Sequence, residues 1–187
     1  MILEPEIHDF IARCQSFLRP GYLKEPIGEQ RRLYGELCRA YDFGRPSGLE
    51  VRDFTIPGPA GGIPARLYRK PDAAARAGLV YLHGGSFYLG GLDSHDSIAA
   101  ELAGRAGITV VAVDYRLAPE HRFPAAYDDA LAALDWIVGN AAGLAIDPAR
   151  LGVGGDSAGG NLAAGLALAA HDRGWPRLIP RSADNDP

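Results

Sequence analysis

Three short apolar runs constrain this chain most. Leu79 to Leu82, Ile108 to Val113 and Leu151 to Val153 each read as a strand. The first two lack the alternation of a strand with one wet face, which suits strands covered on both sides. A helical stretch precedes or follows each run, at 95–106, 123–140 and 158–172. The clearest is 123–140, where Phe123, Ala126, Tyr127, Ala130, Leu131, Leu134, Ile137 and Val138 make one continuous stripe. Strands alternating with helices predict an α/β fold with a mainly parallel sheet and right-handed crossovers. Upstream, Val51 to Ile56 and residues 63–69 flank the turn residues Pro57 to Gly62 and read as a hairpin. Further upstream, 5–18 and about 28–42 have the spacing of two amphipathic helices, with Pro20-Gly21 between them. The expected organisation is helices over 1–45, an α/β core over 46–175 and an irregular tail over 176–187.

Composition narrows the function classes. The chain has 187 residues, 47% hydrophobic and 22% charged, with a net charge of −4. That balance is globular, and it carries no basic block for a nucleic-acid partner. The longest apolar run, Leu162 to Ala170, falls short of the roughly 20 residues that span a bilayer. The N-terminus has acids where a signal peptide has a basic start, so a cytoplasmic location is expected. Cys14 and Cys38 lack metal-ligand spacing and are expected to be buried structural thiols. Neither a metal nor a cofactor is expected.

The chemistry concentrates in two glycine-rich turns. Gly155-Asp156-Ser157-Ala158-Gly159 fits G-x-S-x-G and lies between a predicted strand and a predicted helix. The glycines permit a sharp turn that lifts the serine hydroxyl off the end of a sheet. The helix start behind Ser157 adds a positive dipole. The plain alternative is a glycine-rich turn with an idle serine. His83-Gly84-Gly85-Ser86 directly follows the strand 79–82. Small residues there would let backbone N–H groups approach an oxyanion of acyl transfer, and the N–H of Ala158 would add a donor. A nucleotide-binding loop at 152–160 fails, because Ser157 stands where a third glycine is needed and no Lys follows.

These motifs resemble the hormone-sensitive-lipase-like carboxylesterases (bacterial type IV esterases) of the α/β-hydrolase fold. The resemblance rests on His83 to Phe87, on Asp114-Tyr115-Arg116-Leu117-Ala118-Pro119-Glu120-His121 with Phe123 to Ala126, and on Gly155 to Asn161. It implies a small-molecule ester substrate and Ser157 as nucleophile. It further implies oxyanion donors at Gly85, Ser86 and Ala158, Gly84 shaping the turn, and the N-terminal helices as part of a cap. Ser86 stands where the family usually has a third glycine.

The acid and histidine of that family's triad are not found in their expected order. Downstream of Ser157 stands one histidine, His171, which precedes Asp172, Asp184 and Asp186. On one helix, its separation from Ser157 amounts to about 21 Å, far beyond hydrogen-bond reach. His83 is expected to hold its own loop, His95 to be either a surface residue or part of the site lining, His121 to be a loop residue, and His8 to be solvated. Asp114 and Asp156 are expected to anchor loops, and Asp128-Asp129 to lie on a solvated helix face. The expectation is therefore an esterase lineage whose triad is incomplete and whose C-terminal strands are missing, with an early stop or frame shift near residue 178 as the simplest account. The competing expectation is an inactive fragment or binding module that self-associates through an uncovered sheet edge.

Overall fold

The structure, a computed structural model, describes residues 4–71 and 75–172. The predicted tail lies outside them. Residues up to Phe43 and residues from Gly44 onward form two separate units.

In the first unit, helix α1 (Pro5–Phe17) leads through a turn at Gly21 to helix α2 (Ile27–Ala40). Gly21 takes φ +92°, a conformation open to glycine at no steric cost. The Gln30 side chain donates to Glu25 O (2.8 Å), and Tyr22 Oη donates to Gln30 O (3.0 Å), which closes the turn. Phe10 packs against Tyr41 with ring centroids 5.2 Å apart. Neither cysteine forms a disulfide, and both are only half-buried, not buried as expected.

The second unit is a sheet of five strands in the order β1-β2-β4-β3-β5. They are β1 (Glu50–Gly58), β2 (Gly61–Arg69), β3 (Arg76–Leu82), β4 (Thr109–Val113) and β5 (Ile146–Gly155). Strand β4 pairs β3 in parallel and β3 pairs β5 in parallel, while β2 is antiparallel to both β1 and β4. Only β2 therefore runs against the rest. Helices α3 (Asp96–Ala106) and α4 (Ala125–Gly139) make the crossovers, and α5 (Ala158–Asp172) follows β5.

The two faces explain the unbroken apolar runs. Val80, Leu82, Val111 and Val113 meet Ala130, Leu134 and Ile137 of α4 and Leu162 and Leu166 of α5. Tyr81, Val110 and Ala112 point the other way, onto Ala99, Ala100 and Ala103 of α3. Successive strand residues are thus buried on opposite sides. Each large aliphatic side chain so covered stabilises the fold by about 1.5–3 kcal/mol.

Two elements differ from expectation. Strand β5 begins at Ile146, where the exposed Pro148 to Arg150 segment hides it from an apolar pattern. Helix α4 starts only at Ala125, so Phe123 lies outside the stripe and is 91% exposed. No described helix is long and apolar enough to cross a membrane.

Candidate active site

Strands β3 and β5 are neighbours, and their last registered pair is Leu82 with Gly155. The turns that follow them, 83–86 and 156–158, therefore leave the same end of the sheet side by side. In open α/β sheets this carboxyl end is where ligands bind.

Ser157 occupies the turn between β5 and α5 at φ +50°. A left-handed backbone costs a residue with a Cβ about 1–2 kcal/mol. Its neighbours make the turn tight. A Cβ on Gly155 would stand 2.1 Å from Leu82 O, and one on Gly159 would stand 1.9 Å from the same oxygen. Only glycine allows β3, β5 and α5 to meet this closely. Ser157 is exposed, whereas Ala158, at the first position of α5, is buried.

The β3 turn is equally constrained. Gly85 takes φ +120°, and a Cβ there would meet Leu89 O at 2.3 Å. Ser86 and Phe87 follow at φ +54° and +66°. The departure at Ser86 therefore has a physical cost, because it sits where glycine would be free of strain. Gly84 is buried, and a Cβ on it would lie 2.0 Å from Asp156 Oδ2.

Asp156 joins the two turns. Its Oδ1 accepts from Gly84 N–H (2.9 Å) and from Tyr81 Oη (2.8 Å), and His95 Nε2 lies 3.4 Å away. Burial pushes the Asp156 carboxyl up. Hydrogen bonds from His95, from Tyr81 and from the Gly84 N–H outweigh that and hold it well below the usual carboxylate range. Its side chain is still 49% exposed.

His83 is 2% exposed and lies stacked on Tyr115, with ring centroids 4.3 Å apart. Its Nδ1 is 2.8 Å from Gly84 O, and Tyr115 Oη donates to His83 O at 2.6 Å. Its Nε2 has no hydrogen bond and faces Asp114 Oδ1 at 3.7 Å. His83 thus holds its own loop.

Three residues stand differently from the sequence reading. His95 is 6% exposed, so the surface reading fails. Asp129 is 2% exposed and grips Arg116 through Nε (2.8 Å), Nη2 (2.7 Å) and the backbone N–H (3.0 Å), so it is not solvated. Tyr81 was hidden in an apolar run, although a buried tyrosine hydroxyl usually finds a partner, and that rule could have pointed to it. All five histidines of the chain are described, and none hydrogen-bonds Ser157. His121 and His171 are exposed. Among the described residues, no cluster of three or more His, Cys, Asp or Glu is placed to hold a metal.

A family profile described as the alpha/beta hydrolase fold matches residues 79–182, a span that includes both turns. This chain belongs to the α/β-hydrolase family. The chain is 52% identical over 118 residues to carboxylesterase NlhH of Mycobacterium tuberculosis, covering 63% of this chain and 37% of that protein. It is 48% identical over 173 residues to the carboxylic ester hydrolase LipN of the same organism, covering 91% of this chain and 46% of that protein. Among solved structures it matches the esterase of Pyrobaculum calidifontis with a TM-score of 0.88 and 39% identity, over 95% of this chain and 57% of that one. The chain thus spans less than half the length of these curated relatives. Its resemblance to carboxylesterases is borne out.

Proposed function

We propose that this chain carries the nucleophile and the oxyanion-binding part of a carboxylic ester hydrolase site. The observation that carries the reading is the Gly84–Asp156 hydrogen bond, which holds the β3 turn against the strained, exposed elbow of Ser157. Ser157 Oγ would attack the ester carbonyl. The carbonyl oxygen, charged in the tetrahedral intermediate, would take hydrogen bonds from the N–H groups of Gly85, Ser86 and Ala158, with Gly84 setting their height. One such donor contributes about 3–4 kcal/mol to the barrier in a well-formed hole. The α5 dipole favours the same negative oxygen.

Proton transfer is the weak step. A serine hydroxyl is a poor nucleophile without an adjacent base, and no imidazole of this chain reaches Ser157. Turnover by these 187 residues is therefore expected to be slow, the remaining rate coming from binding and the oxyanion donors.

A fluorophosphonate probe tests both halves. Over hours it is expected to leave one adduct on Ser157, found by peptide mass mapping, and none on Ser157→Ala. Hydrolysis of 4-nitrophenyl acetate is expected to match Ser157→Ala within twofold. Labelling at other serines only would reject Ser157 as the nucleophile, and a fast Ser157-dependent turnover would reject the missing base. The open edge of β5, which pairs only with β3 among the described residues, favours a second reading as a module that pairs with another chain. Absence of the adduct together with elution as a dimer would select it.

A further inference from the structure

The loop between β3 and α3 is closed by side chains, two of which, Ser94 and His95, the hydrolytic reading does not use. Gly84 stands near its start and Gly91 near its end. Gly91 N–H donates to Ser94 Oγ at 2.9 Å. Ser94 Oγ lies 2.8 Å from His95 Nδ1 and 3.0 Å from Gly91 O, with one proton to give. Given to Nδ1, that proton leaves the imidazole neutral with its own hydrogen on Nε2. Nε2–H then points at Asp156 Oδ1, 3.4 Å away, the oxygen that also accepts from Gly84 N–H. A continuous belt results, from Gly91 through Ser94, His95 and Asp156 to Gly84.

Burial and packing show why the belt holds the loop in place. His95 is buried, so its ring cannot exchange these partners for water at no cost. Asp156 is half exposed, so its rotamer depends on the donors gathered on Oδ1. Gly90 packs so tightly over the loop's start that a Cβ there would stand 2.5 Å from Gly84 O. The next residue, Asp96, is fixed independently. It accepts from Arg45 Nε (2.6 Å), Arg66 Nη1 (2.8 Å) and Tyr68 Oη (2.8 Å), which anchors the start of α3 to β2 and thereby the His95 backbone.

We infer that His95 is a positioning residue: it ties the Ser94–Gly91 turn to the Asp156 carboxylate and so fixes the Gly84–Ser86 backbone beside Ser157. Its bearing on catalysis rests on the ester-hydrolase reading, but the belt itself does not.

Amide hydrogen exchange of the whole chain, followed by NMR, tests it. His95→Leu keeps the volume and removes the donor, whereas His95→Gln keeps a donor near the place of Nε2. In His95→Leu, exchange at Gly84 and Gly91 is expected to speed at least tenfold while Val80 and Val111 hold their wild-type rates. In His95→Gln, Gly84 is expected to stay within threefold of wild type. Ser94→Ala, a smaller change at a half-buried loop position, is expected to free Gly91 tenfold and Gly84 by a lesser factor. Equal acceleration across the sheet, equal behaviour of the Leu and Gln variants, or an unchanged Gly84 in His95→Leu would each overturn the inference. If the exchange pattern holds but Ser157 takes no fluorophosphonate, the belt stands and the hydrolytic reading falls.

Discussion

Two aspartates, Asp129 and Asp156, face similar pressure and meet it differently. Asp129 is sealed inside α4 and answered by one guanidinium, which reaches it through two side-chain nitrogens. Asp156 sits at the elbow, half open to water, answered by a phenol, an amide and an imidazole. The first arrangement is a fixed ion pair that fastens the segment after β4 to α4. The second gathers a phenol, an amide and an imidazole, so it holds two turns together without placing a guanidinium beside the serine.

The largest expected effect lies on the structural side. Asp129→Ala strands the Arg116 charge next to a buried cavity, and breaking such a pair costs about 3–5 kcal/mol, with the lower end expected because Arg116 is partly solvated. Urea unfolding should show it as a shifted midpoint, and a cost under 1 kcal/mol would dissolve the contrast drawn here.

Acid probes the second of these aspartates. The Asp156 pKa is depressed in the folded protein relative to about 3.9 in the unfolded chain. Its contribution is therefore fully present above about pH 4 and is lost as pH falls through the lower folded value. The stability gap between the wild type and Asp156→Asn should be constant from pH 7 to 5 and close below pH 4. A gap that widens in acid would reverse the assigned sign.

The smallest effect concerns the turn itself. Ser86→Gly relieves a left-handed backbone but frees the unfolded chain, and the two largely cancel to a gain of about 0.5 kcal/mol. Melting curves should show a slight rise, while a clear fall would mean that the Ser86 side chain contributes more than its strain costs.

The sheet was legible because its central strands are buried on both faces, and short runs rich in β-branched residues such as ITVVAV suit such strands. The elbow was legible because Gly155 and Gly159 have no substitute where a backbone oxygen lies about 2 Å from any added carbon. His95 and Asp129 were not legible. Each is a polar residue among polar neighbours, Ser94-His95-Asp96 and Asp128-Asp129, and local pattern cannot tell a solvated face from a buried pair. That distinction depends on a partner far along the chain: Asp156 for His95, and Arg116, on the other side of a loop, for Asp129.

The left-handed backbone at residue 157 carries a warning for anyone engineering heat resistance into this fold. Glycine would relax that position, so selection for thermal tolerance alone would reward the loss of the hydroxyl. A library built that way would drift toward sturdier proteins without the hydroxyl proposed as the nucleophile, unless codon 157 were held fixed.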